Sequence, residues 1–145
     1  MRSLVVSWQF WALLSAVFAA LTAVFAKVGV ENVDSDLATF IRTVTILLVL
    51  GAILTARAQW PGWGSIQTRT FAFLILSGLA TGASWLCYFR ALKLGDAARV
   101  APIDKLSVVL VALFGVLFLG ERLSEWNWAG IALIAAGAVL VAYKG

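Results

Sequence analysis

Ionisable side chains inside apolar runs are the first places to look for solute chemistry. Each costs roughly 2.5–3.5 kcal/mol to place at the centre of a membrane, so it is a functional candidate by default. Arg42, Asp104 and Lys105 stand in such runs, and Lys27 closes another. For Lys27 the plainer role is snorkelling, the long stem letting the ammonium reach the interface. Arg42 falls five residues into a helix read from Leu37, so it lies about 7.5 Å deep at 1.5 Å per residue, and snorkelling competes evenly with function there. Asp104 and Lys105 are consecutive and point about 100° apart on a helix, so they cannot both face one partner. The spacing therefore admits an Asp104–Arg42 pair, with Ser107 one turn past Asp104 and facing roughly the same way.

A second group is aromatic. Trp85, Tyr88 and Phe89 fall at i, i+3 and i+4 of one helix face, with Thr81 and Ser84 one turn away. Such a face serves either as packing surface or as a stacking wall for a planar or cationic solute. Enzyme chemistry finds little purchase. The chain has no His, hence neither the commonest general base nor the commonest metal ligand. Its one cysteine, Cys87, lies in an apolar run with no activating partner. No metal-ligand cluster, cofactor motif or phosphate-cradling glycine loop is present.

These residues need elements that hold them in a membrane. Of 145 residues, 63% are hydrophobic and 12% charged, against about 25% charged in a soluble domain. So few charges cannot cover a water-facing surface. Each span needs about 20 apolar residues, and five runs qualify: 8–26, 37–55, 70–92, 101–119 and 126–143. The first is longer than the 7–15 apolar residues of a signal peptide, the competing reading, and is taken as a retained helix. Gly95 and Gly120 stand where helices end, Pro102 suits a first turn, and Asp104 then falls at a positive helix end. Ser124 reads as an N-cap, and Trp60-Pro61-Gly62-Trp63-Gly64 as the one real loop.

Five spans put the termini on opposite sides. One side carries Arg2, Arg57, Arg69 and Arg122, the other Lys27, Arg90, Lys93, Arg99 and Lys144. A difference of one residue gives almost no preference under the positive-inside rule, the pattern of dual topology. Counting Arg42 and Lys105 with the second group turns that side toward the cytoplasm. The formal charge of +4 is spread between apolar runs and forms no nucleic-acid site. Trp8, Trp11, Trp60, Trp63, Trp126 and Trp128 all fall on one side and read as an interfacial belt.

Small residues let helices approach closely in lipid. Gly78 and Gly82 form a GxxxG, Ala12, Ala16 and Ala20 a stripe, and Gly130 and Gly137 share one face of the last helix. Packing within the bundle is the plainer use. The sharper one is contact with another chain, above all through the last helix.

The order of these features resembles the EamA family of the drug/metabolite transporter superfamily, over nearly the whole chain as one repeat. The resemblance rests on Lys27 and Arg42, on Tyr88-Phe89-Arg90-Ala91-Leu92, on Gly95-Asp96-Ala97, on Val100-Ala101-Pro102, on Leu119-Gly120-Glu121, and on Gly130 and Gly137. The run Ala101-Pro102-Ile103-Asp104-Lys105-Leu106-Ser107 is similar to the short, single-repeat branch. The resemblance implies an all-α integral membrane protein of the bacterial inner membrane, half of a ten-helix inverted-repeat carrier. It also implies that two copies associate antiparallel to export small metabolites or drug-like solutes. Near-balanced loop charge is an independent reason to expect inverted copies. The four-helix relatives use a carboxylate in their first helix; here that helix has none, so only Asp104 could take that part. Expected lining or gating residues are Arg42, Trp85, Tyr88, Asp104, Lys105 and Ser107. Half of a heteromeric carrier and a non-transporting membrane subunit are the rival readings.

Overall fold

A computed structural model describes residues 7–60, 62 and 66–143, with helix as the regular structure and no strand among the described residues. In chain order these are α1 (Trp8–Gly29), α2 (Ser35–Ala56), α3 (Thr68–Leu94), α4 (Ala97–Asp104), α5 (Ser107–Phe118) and α6 (Glu125–Ala142). Among the described residues five stretches are long and apolar enough to cross a membrane: α1, α2, α3, α6, and Ala97–Phe118, which joins α4 to α5. The fold is the all-helical, five-span architecture expected from composition. Pro61, Trp63 and Gly64 of the expected loop, and Arg2 and Lys144 of the charge tally, lie outside the described residues.

Local chemistry sets the helix ends. At α2 the Asp34 carboxylate accepts from the backbone N–H groups of Asp36 (2.9 Å) and Leu37 (3.3 Å), satisfying two donors that have no partner in the helix. Inside α2 the hydroxyls of Thr39 and Thr43 each donate, at 2.8 Å, to the carbonyl four residues back, leaving no bare hydroxyl toward lipid. Ser124 caps α6 as expected, its Oγ accepting from the Asn127 N–H at 3.3 Å. Past α5, Gly120 takes φ +69°, the left-handed conformation glycine adopts without strain. That turn brings the N–H groups of Leu119 and Glu121 onto the Gly115 carbonyl.

The fourth span departs from expectation. It begins at Ala97, directly after Asp96, and not at the proline, so Pro102 sits inside α4 near its end. Gly95 breaks the preceding helix, and Ala97, Ala98 and Arg99 are good helix formers that need no proline to start one. Pro102 cannot donate to the Ala98 carbonyl, and its ring crowds that carbonyl. The helix stops two residues later. Leu106, Val108 and Val109 then donate to carbonyls three residues back, a tight turn between α4 and α5.

The chain divides into two compact units. One contains α1 through Phe25 with α4, α5 and α6. Within it α6 packs on α4 and α5. Ala112, Gly115 and Ala138 are buried, and the Arg99 Nη2 donates to the Ala142 carbonyl at 2.7 Å, tying the start of α4 to the end of α6. The other contains Ala26–Lys93, with the end of α1, α2 and α3. Its core is Ala26, Val30, Phe89 and Leu92, with Ser35 and Thr39 buried beside them.

Along the spans large apolar side chains point outward; Leu47, Leu117 and Leu133 are 69%, 71% and 73% exposed. In a bilayer that surface meets lipid or another chain. The glycines read as packing positions are open as well. A Cβ added at Gly78, Gly82, Gly130 or Gly137 would meet nothing within 4 Å.

Candidate functional site

Several charged groups of the second unit are held by hydrogen bonds or ion pairs to the protein. The Lys27 Nζ donates to the Leu92 carbonyl at 2.8 Å, and the Lys93 Nζ to the Val33 carbonyl at 2.7 Å. Arg90 grips Asp36 with two nitrogens, Nε at 3.3 Å from Oδ1 and Nη2 at 2.8 Å from Oδ2. Three cations counted from the sequence as loop charge thus serve as ties between helix ends. Sequence reading missed the Arg90–Asp36 pair, because the two lie 54 residues apart and no local signal joins them.

Arg42 differs. It lies seven residues past the start of α2, deeper than expected because the helix begins at Ser35. At 1.5 Å per residue that is about 10.5 Å along the axis. Its guanidinium carbon is 3.8 Å from the centre of the Trp85 ring and 5.5 Å from that of Phe89. Trp85 is nine residues from the end of α3 and Phe89 five, hence about 13.5 Å and 7.5 Å from that end. Because α3 runs back toward the start of α2, the ring that Arg42 covers is the deeper one. A snorkelling side chain would turn the other way.

The aromatic face of α3 is therefore organised around a cation. Phe89 is buried, Trp85 and Tyr88 are half-buried, and the Tyr88 and Phe89 rings meet edge-on at 6.5 Å. Tyr88 is close enough to Arg42 to interact with it electrostatically. Stacking of a guanidinium on an indole contributes about 0.5–2 kcal/mol, more where water is excluded. That offsets only part of the cost of a charge at this depth. Cys87, next to Tyr88 in sequence, is exposed and not enclosed as its apolar neighbourhood implied, because the helix turns it away from the buried Phe89.

In the other unit, Asp104 is the last residue of α4 and Lys105 follows as its C-cap. This reverses the expected placement of the carboxylate at a positive helix end: Asp104 sits where carbonyls crowd, and a cation is favoured there. Lys105 supplies one, its Nζ 3.2 Å from the Asp104 Oδ2. The ion pair of Asp104 is thus with its neighbour. Ser107 opens α5 on the far side of the break and is exposed. The break itself is a discontinuous transmembrane helix, an arrangement transporters use where solutes or ions bind. The structure gathers Arg42, Trp85 and Tyr88 in one unit and Asp104, Lys105 and Ser107 in the other. Among the described residues no group of His, Cys, Asp and Glu is placed to hold a metal ion.

The EamA-like transporter family matches residues 6–143. The chain is 71% identical over 136 residues to an uncharacterised transporter in the cobO 3′ region of a Sinorhizobium species, a match covering 94% of this chain and 96% of that one. It is 32% identical to a riboflavin transporter of Rhizobium johnstonii over 68% of its own length, and spans 33% of that protein. It is 37% identical to the probable 4-amino-4-deoxy-L-arabinose-phosphoundecaprenol flippase subunit ArnE of Pectobacterium atrosepticum, over 52% of this chain and 66% of that one. No solved structure matches the chain. With five membrane-crossing helices and a family match over almost its full length, this multi-pass membrane protein belongs to the EamA-like transporter family.

Proposed function

We propose that the chain carries small organic solutes across the bacterial inner membrane, in the export direction, as a pair of copies inserted in opposite orientations. It acts as a carrier and not as an enzyme. The observation that carries this reading is the family match over a five-span chain, joined to a relative of the same single-repeat length. Inverted repeats are a common carrier architecture. A riboflavin transporter about twice as long, matched over a third of its length, supports the view that one repeat is a part of a carrier path. The open faces at Gly78, Gly82, Gly130 and Gly137 are where a second copy would seat. Arg42, Trp85, Tyr88, Asp104, Lys105 and Ser107 line or gate the path, and the break after Asp104 is a point where the fourth span can flex.

A second reading has its own observation. The ArnE relative is named a subunit, which favours pairing with a different short protein over pairing with itself. Both are tested in vesicles containing only this chain, loaded with a broad panel of organic solutes. The homodimeric carrier predicts saturable flux that Arg42→Ala lowers at least tenfold. Flux that appears only when a second protein is co-reconstituted supports the heteromeric form. No flux under either condition removes the carrier reading.

A further inference from the structure

We infer that Arg42 is an anion-recognition residue, and that the solute bound beside it is an organic acid presenting a carboxylate or phosphate to the guanidinium; this rests on the carrier reading above. The inference starts from a contrast with two other arginines, while Arg57, Arg69 and Arg122 are exposed and Arg42 is half-buried. Arg90 spends its nitrogens on Asp36, and Arg99 donates to the Ala142 carbonyl. Arg42 stacks on rings, and no carboxylate or carbonyl among the described residues takes a hydrogen bond or ion pair from it. Stacking uses the face of the guanidinium plane. The five N–H donors lie in that plane, and an aromatic ring offers them no oxygen acceptor.

Those donors are also reachable. Arg42 is half-buried, and among the described residues no buried side-chain nitrogen or oxygen lacks a partner, so its nitrogens are not sealed. A fixed cation with an open fork, held on the deeper of two rings, is matched by a planar oxyanion that accepts two parallel hydrogen bonds. The adjoining Phe89 and Tyr88 rings suit an apolar or aromatic body attached to that anion. The sign follows from the same contact. Trp85 presents a face to Arg42, so a cationic solute would have to share that ring with a positive charge. The stacking wall expected to welcome a cation is therefore selective against one.

Binding is measured as the thermal shift of purified chain in neutral detergent, with benzoate and phenyl phosphate as anions, benzamide as the neutral match and benzyltrimethylammonium as the cation. A ligand that binds the folded state raises its apparent stability. Benzoate and phenyl phosphate should give saturable shifts, with benzamide and the cation giving none. Arg42→Gln should weaken the anions at least tenfold, and Arg42→Lys less. Both variants are first shown to elute as the parent chain does and to unfold cooperatively without probe, and each shift is read against that variant's own midpoint. Failure of Arg42→Gln to fold leaves Arg42→Lys to decide, since losing the fork while keeping the charge should still weaken benzoate severalfold. Equal binding by that variant, binding of the cation in place of the anions, or no shift with either anion overturns the inference. A shift produced only by phosphatidylglycerol, added as a separate arm, assigns the fork to a lipid headgroup and also overturns it. Anion binding that depends on Arg42 in a chain showing no flux would instead keep the site and remove the carrier reading.

Discussion

The Arg42 guanidinium carbon lies 3.8 Å from the Trp85 ring centre, closer than its 5.5 Å to Phe89, which stands one turn nearer the end of α3. A charged side chain in the membrane is thus turned inward and held by an aromatic face. It bridges α2 and α3 with a long side chain, where small residues would have drawn the two backbones together.

Trp85→Leu removes the better of the two ring faces and keeps an apolar side chain. It should lower stability by about 0.5–2 kcal/mol, the range for a cation over an aromatic ring. Unfolding in mixed micelles measures this. An unchanged midpoint would mean that the contact contributes nothing to the folded state.

Pro102→Ala restores a donor for the Ala98 carbonyl and removes the ring from the interior of α4. A proline inside a helix is worst by about 3 kcal/mol, so the variant should be more stable by up to that amount. If the break after Asp104 flexes during transport, solute exchange should slow in the same variant. A gain in stability with unchanged exchange separates the local helix effect from any functional use of the break.

Arg90 and Asp36 form a two-point ion pair with both side chains well exposed. A double-mutant cycle with Arg90→Gln and Asp36→Asn should show a favourable coupling at low salt that shrinks as salt rises, because the screening length falls from about 10 Å at 0.1 M to about 3 Å at 1 M. A coupling that ignores salt would place the pair out of reach of solvent ions.

The five spans were legible in the sequence because each is a long apolar run, and run length is what a bilayer reads. The capping role of Ser124 was legible too, since a cap is a local hydrogen bond. The break in the fourth span was not. Pro102 fits either a first turn or a late kink, and what decides is that Gly95 and Asp96 already start a helix five residues earlier. The Arg90–Asp36 and Lys27–Leu92 ties were hidden for another reason: their partners come together only when separate helices assemble. In the same way, Arg42, Trp85 and Phe89 could each be singled out by type and spacing, yet only the fold puts the guanidinium on the ring.

Assembly of two copies in opposite orientations is tested most directly at Gly130 and Gly137, whose faces are open. Seven residues separate them by about 10.5 Å along α6, whereas a disulfide needs Cα atoms within about 7 Å. With Cys87→Ser as background, G130C and G137C copies carrying tags of different mass are co-expressed and oxidised in the membrane. In an antiparallel α6 contact, position 130 of one copy meets position 137 of the other, so the mixed disulfide should exceed either self-pair severalfold. Self-pairs that form in place of the mixed pair would show copies standing the same way up and would contradict the account.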